Sequence, residues 1–336
     1  MRLILSTSNV MSGGSSIRRS PTTKSNLELV TSLRSSFDAS STLYSSDDTS
    51  TPESNGHGQG PDHKADYRMW TRLSADHQTL EVPALDFSES ALQEEREAYD
   101  ITVKLFFLPG EDTTHREAHT REAVDLVLKE LHVSSIDLLI VCFPAIYFDE
   151  EEDCPDKIST RGPIEAEPES LQSQIETWRI LEKLCEEGLA KKLGLAEFGH
   201  ERLQNLLEKG DLKVRPSVNQ INLRDCCSVP KPLLALGRRE KVELLVHNDC
   251  SNILPKGTVR ELLGPGPVGA GVLASGAKTG DKRKSLHGEG LRNGTLVGEG
   301  VKGEVLPQWV VKYTAVIHNR GVVEDKGYFA MAEIVD

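Results

Sequence analysis

An α/β fold built on a parallel sheet is what the sequence predicts, and three observations predict it. Short apolar runs rich in branched residues alternate with longer amphipathic segments, an order that implies parallel strands joined by helical crossovers. The composition, 38% hydrophobic and 27% charged, is that of a globular chain with a substantial core. Setting aside two low-complexity stretches of 26 and 40 residues leaves 270 of the 336, enough for one barrel-sized domain. A closed (β/α) barrel and a doubly wound open sheet both satisfy the alternation.

The elements follow in chain order. A brief strand-like run, Arg2 to Ser6, precedes a helical pattern from Asn26 to Phe37. Residues 35–60 hold 11 Ser or Thr in 26 positions, too few apolar groups to offset the entropy of ordering, and read as a disordered insert. Strands are expected at Thr102 to Phe107, Asp137 to Cys142, Lys192 to Leu195, Pro216 to Gln220 and Val242 to His247. Helices are expected between them, at Arg116 to Leu131, Pro168 to Glu187, His200 to Glu208 and Lys231 to Arg239, with Gly188 and Gly210 at C-cap positions. Residues 264–303 contain 12 of the 27 glycines and read as a flexible insert.

Charge and cysteine content narrow the function classes. With 39 basic and 52 acidic residues the net charge is −13, which opposes nucleic acid and anionic membrane as partners. No apolar run approaches the ~20 residues a bilayer span needs, so a cytoplasmic protein is expected. The six cysteines show no CxxC spacing, so neither a zinc site nor a disulfide framework is indicated.

Motifs then point to a family. Ile136-Asp-Leu-Leu-Ile-Val-Cys-Phe-Pro144 resembles the aldo-keto reductase strand D-L-Y-L-I-H-W-P. Gly188-Leu-Ala-Lys-Lys-Leu-Gly-Leu-Ala-Glu-Phe198 resembles that family's G-K-V-R-x-I-G-V-S-N-F, and Arg215-Pro-Ser-Val-Asn-Gln220 its K-P-x-x-N-Q. The resemblance implies a (β/α)8 barrel of aldo-keto reductase type, here C-terminally shortened and carrying the two inserts, with functional residues at the carboxyl ends of the strands. Within that superfamily, Val218 to Cys227, Leu245 to Asp249 and Gln308 to Tyr328 are similar to the regulatory (modifier, light) subunits of glutamate-cysteine ligase. That similarity implies a partner, the catalytic subunit of the ligase, and a role in the first step of glutathione synthesis.

The family's chemistry is hydride transfer from NADPH to a carbonyl, using an Asp, Tyr, Lys and His tetrad with Tyr as general acid. By resemblance Lys104 matches the tetrad Lys, but the His position holds Cys142, whose thiol is a poor substitute for an imidazole. Asp62 and Tyr67 have the spacing of the remaining pair, but no expected strand leads into them. The nicotinamide-binding Ser-Asn pair falls on Ala196 and Glu197, while Gln220 is retained. Lys326 falls where the family grips the adenosine phosphate, although the chain ends ten residues later. The expectation is a vestigial pocket that binds no cofactor and performs no catalysis. The alternative is a working NADPH-dependent aldo-keto reductase.

Other features carry less chemistry. Gly264-Pro-Gly-Pro-Val-Gly269 fits G-x-G-x-x-G only literally, since it follows a helical segment and holds two prolines. Asp149 to Asp153 reads as a solvated acidic loop rather than a metal site. Cys142 and His247 invite a Cys–His nucleophile, against which stands the simpler reading of a buried core cysteine. The adjacent Cys226 and Cys227 suit a thiol switch less well than a plain pair of thiols. For docking, the subunit-type residues Asn222, Arg224, Asp225, Cys226, Cys227, His247, Asn248 and Asp249 are the expected surface, because they follow the later strands.

Overall fold

Five parallel strands form one half of the sheet in a computed structural model that describes residues 1–11, 25–45, 65–88, 92–148, 166–223, 228–250, 252–266, 268–274 and 300–335. They are β4 (Tyr99–Phe107), β5 (Ile136–Cys142), β6 (Ala190–Ala196), β7 (Val218–Ile221) and β8 (Glu243–Val246), side by side in that order. Helices α3 (Arg116–Leu131), α4 (Leu171–Glu186), α5 (His200–Lys209) and α6 (Lys231–Glu240) are the connections between them. Each expected strand and helix of this region is present, with ends shifted by up to three residues. Local capping sets those ends: Ser170 Oγ accepts from the Ser173 N–H to start α4, and Gly188 adopts φ +79° just beyond it. Gly210 closes α5 with right-handed φ, but a side chain there would press within 2.5 Å of the Leu206 carbonyl.

The other half differs from the expected barrel. Two 14-residue strands, β9 (Glu304–Ile317) and β10 (Val322–Val335), form an antiparallel hairpin inserted between β4 and the N-terminal β1 (Arg2–Ser6). Beyond β1 lie β3 (Thr79–Val82) and then β2 (Arg72–Leu73), completing a ten-stranded sheet. The sheet is open: β2 and β8 are its edges, and the closed (β/α)8 arrangement is not formed. After β8 the chain enters the short helix α7 (Thr258–Leu263) and then the hairpin on the far side of β4, leaving β8 without a further described neighbour.

Helices cover the face that a barrel would enclose. α1 (Ser25–Ser45), α2 (Tyr67–Trp70) and α7 pack Leu29, Leu33, Phe37, Trp70 and Leu262 against Phe106, Ile140, Val310 and Ala330. On the opposite face Val124, Val127, Trp178, Leu181, Leu203 and Leu236 of α3 to α6 pack against Val103, Leu105, Leu139 and Leu193. Burial of both faces removes the need for closure, because the strands' apolar side chains leave water either way.

Part of each expected insert lies within the described structure. Residues 35–45 continue α1, with Phe37 buried and Ser41 largely so, while 46–60 lie outside the described residues. At the stem of the Gly-rich segment Val272 and Leu273 are buried, and Leu273 bridges Val301 in parallel; residues 275–299 lie outside the described set. Asp62 and Asp149 to Asp153 lie outside it as well. Among the described residues no helix is long and apolar enough to cross a membrane.

Candidate functional site

Strand register lines up charge along one row of the sheet. Lys104 on β4 lies opposite Lys312 on β9, which lies opposite Tyr328 on β10. Alternation places all three on the face toward α1, beside Cys142 at the end of β5. Lys104 is 3% exposed and donates to Asp249 Oδ2 at 3.1 Å and to Gln220 Oε1 at 3.0 Å. Lys312 Nζ meets the other oxygen of Asp249 at 2.7 Å. One buried carboxylate thus serves two ammonium groups, both from strands far from it in sequence.

His247 extends the network. Its Nδ1 accepts the Asp249 backbone N–H at 3.0 Å and lies 3.3 Å from Lys104 Nζ, which fixes the ring proton on Nε2. Nε2 lies 2.7 Å from Glu197 Oε1, and Glu197 Oε2 accepts the Phe148 N–H at 2.7 Å. Glu197 sits at φ +66°, a left-handed conformation uncommon for its residue type, held by its own N–H on the Gln220 carbonyl. Asn219 secures the next residue, donating to the Phe198 carbonyl at 2.7 Å and accepting the Phe198 N–H.

Electrostatics follow from this wiring. Burial alone would lower the pKa of Lys104, but the facing carboxylates of Asp249 and Glu197 oppose it, and the ammonium is held above its ordinary range. Burial is likewise overcome at Asp249, where Lys312 and Lys104 keep the carboxyl well below the usual carboxylate value. Cys142 goes the other way: burial pushes its thiol up to about 12, which disfavours the thiolate.

A second cluster adjoins the first. Lys326 pairs with Glu28 of α1 at 2.5 Å, and Tyr328 donates its hydroxyl to the same carboxylate at 2.7 Å. The Cys250 N–H donates to Ser25 Oγ at 2.8 Å, tying the start of α1 to the loop after β8. The start of helix α1 is therefore fastened to the loop that follows the carboxyl end of β8, while its body packs on the sheet face.

The residues expected to form a site divide three ways. Lys104, Glu197, Gln220, His247 and Asp249 come together, with Cys142 and Ala196 buried beside them. Asn222 is half-buried with Nδ2 3.4 Å from the Asp249 carbonyl, and Asn248 is exposed. Arg224, Asp225, Cys226 and Cys227 lie outside the described residues, and Tyr67 is in α2. Sequence reasoning missed Lys312 and Glu28. The signal for Lys312 was a single lysine inside the apolar run Trp309 to Ile317.

The family's nicotinamide cofactor does not fit these residues. Ala196 offers no side-chain hydrogen bond, Glu197 adds negative charge and is engaged by Phe148 and His247, and the Lys326 ammonium is held by Glu28. No group of three or more His, Cys, Asp or Glu among the described residues is arranged to hold a metal ion.

Comparison with known proteins agrees with the motifs. The model described as "Aldo/keto reductase family" matches residues 82–334. A Schizosaccharomyces pombe protein provisionally named glutamate–cysteine ligase regulatory subunit is 27% identical over 246 residues, which is 72% of this chain and 74% of that protein. The Homo sapiens glutamate–cysteine ligase regulatory subunit is 24% identical over 254 residues, 76% and 73% of the two chains. Human aldo-keto reductase family 1 member C2 is 33% identical, but over 108 residues and 32% of each chain.

Proposed function

The chain belongs to the aldo/keto reductase family, and from that premise we propose that it is a non-catalytic regulatory subunit, binding the catalytic subunit of glutamate–cysteine ligase and modulating the first step of glutathione biosynthesis. The observation that carries this reading is the span of the similarity to regulatory subunits, about three quarters of each chain, against a third for the reductase named above. The site's wiring supports its non-catalytic half. Lys104, at the position of the tetrad lysine, is saturated by Asp249 and Gln220, and the position of the tetrad histidine is a neutral buried thiol. On this reading the tetrad is degenerate and the chain works as a cytoplasmic heterodimer.

A subunit without reacting groups acts only through contacts that differ between two states of its partner, and a coupling of about 1–3 kcal/mol shifts effector affinity roughly 5- to 150-fold. A stable pairing would bury on the order of 1,200–2,000 Å². The docking surface is proposed at residues 222–227 and Asn248, at the carboxyl ends of β7 and β8. His247 and Asp249 have their side chains turned inward and would hold that surface in shape.

The test is titration of this protein into purified catalytic subunit. The glutamate Michaelis constant should fall and inhibition by glutathione should weaken, each severalfold. Constants that stay unchanged at saturating protein would overturn the role. The purified chain is also expected to show no steady NADPH oxidation with a panel of aldehydes, and turnover there would restore the reductase reading.

A further inference from the structure

The two edges of the sheet are built differently. β2 is two residues long, and its Arg72 is tied down by Glu81 at 2.7 Å and by the Leu85 carbonyl at 2.6 Å. A short, charged strand is how proteins blunt an edge against pairing with another chain. β8 carries no such protection. Its sequence, Glu243-Leu-Leu-Val246, is apolar after the first residue. Leu244 and Leu245 are half-buried, and Val246 is 61% exposed, the most exposed apolar side chain of the sheet among the described residues.

Backbone pairing leaves that edge open in a defined pattern. Glu243 donates its N–H to the Ser217 carbonyl at 2.8 Å and His247 donates to the Ile221 carbonyl at 3.1 Å, so alternate residues of β8 turn toward β7. The residues between, Leu244 and Val246, therefore point their N–H and C=O away from it. Just before them the Val242 N–H is already taken by the Gly237 carbonyl at 2.9 Å. Side chains alternate too. Leu244 packs on the core beneath α3 to α6, whereas Leu245, in register with Gln220, lies on the opposite face and joins neither apolar core.

We propose that a second copy of this chain covers the edge, its β8 running antiparallel to the first across a two-fold axis at Leu245. Symmetry of the sequence about that residue selects this occupant. Leu244 then faces Val246 of the second copy on both sides of the axis, so each outward N–H meets an outward C=O. Leu245 faces its own counterpart, which buries the side chain that neither core takes. Glu243 falls opposite His247, so the axis brings no like charges together. An axis on Leu244 would instead set Val246 against Val242, whose N–H is already spent, and one on Val246 would set Leu244 against the polar Asn248. So short an interface buries less than the roughly 1,200–2,000 Å² of a stable pairing, which sets the dissociation constant at about 10–100 μM. The inference does not rest on the regulatory role and stands or fails apart from it.

Sedimentation equilibrium of the full chain from about 1 to about 500 μM tests it, and monomer should give way to dimer over that range. Leu245→Lys and Leu245→Glu should each stay monomeric throughout, because two like charges meet on the axis, while an equimolar mixture of the two should associate again. Leu245→Cys should cross-link two copies under mild oxidation, since non-hydrogen-bonded antiparallel neighbours stand about 4.5 Å apart at Cα, and peptide mapping should locate the disulfide at the introduced thiols. A natural chain that remains monomeric at the highest concentration would overturn the proposal and mean that the edge is covered within its own chain or kept for a different partner. Dimers that persist in Leu245→Lys would overturn it too, by placing the interface elsewhere. Should the charged variants fail to fold, Leu245→Cys decides the matter: a dimer that yields no cross-link at position 245 sinks the proposed register and the edge with it.

Discussion

Replacing Asp249 with Ala is expected to cost about 3–5 kcal/mol, because it strands the Lys104 ammonium in the core without its carboxylate. Lys104 is 3% exposed and cannot reach water, whereas Lys312, at 19% side-chain exposure, can turn outward. Gln220 and Glu197 remain near Lys104 and set the lower end of the range. For a chain of this size the loss corresponds to a fall in Tm of roughly 4–10 °C. Asp249→Asn should lose less, since an amide oxygen still accepts from one lysine. The double variant Lys104→Met, Asp249→Leu should recover most of the loss, because an apolar pair of similar volume removes the stranded charge. The pH dependence has a definite sign. Asp249 has its pKa lowered in the folded chain, so its contribution is present above the ordinary value of 3.8 and disappears as pH falls through the folded value below that. Denaturant unfolding of the three proteins is the measurement, and a loss under about 1 kcal/mol for Asp249→Ala would show that the ion pair does not hold this region together.

Much of this site was legible in the sequence, and the reason lies in local order. Lys104, Gln220 and His247 stand on strands or strand ends whose alternation and flanking helices announce themselves within a few residues, so their shared face follows from counting. What escaped depends on long-range pairing. Lys312 reaches Asp249 because β9 pairs antiparallel with β4 across some two hundred residues of chain, and no window of sequence contains both strands. Glu28 reaches Lys326 only after β1 docks beside β10 and carries α1 over the sheet. The open sheet escaped for a related reason: four crossovers from β4 to β8 read the same whether or not the sheet closes, and only the hairpin's insertion beside β1 decides it. Residues 35–45 were misjudged because Ser and Thr are poor helix formers on their own. Burial of Phe37 against the Trp70 ring, 6.1 Å away, gives that end of α1 the tertiary contact that propensity lacks.

The hairpin carries a second buried charge with the opposite pH behaviour. Asp325, at the bulge of β10, is 5% exposed, and its Oδ1 is buried with no partner. Tyr313 on β9 lies beside it, with its hydroxyl also 3.3 Å from Glu130 Oε1 of α3, so two carboxylates crowd one phenol. The other ionisable neighbour is Glu324, which adds repulsion, and burial is the largest influence; together they push the Asp325 carboxyl from 3.8 up to about 6. A carboxyl raised in the folded state stabilises the fold while protonated, so its contribution is full below about 3.8 and is lost as pH rises through about 6. At pH 7.5 the ionised Asp325 is therefore a burden, about 3 kcal/mol at the ceiling set by the shift and about 1–2 kcal/mol once solvent screening at the hairpin is allowed for. Asp325→Asn keeps the shape, removes the charge and supplies an N–H to the carboxylates nearby. It should raise Tm at pH 7.5, raise it less at pH 6 and leave it nearly unchanged at pH 4. Thermal unfolding across that range is the measurement, and a gain in Tm that is the same at all three values would mean that the charge of Asp325 is not what limits the hairpin.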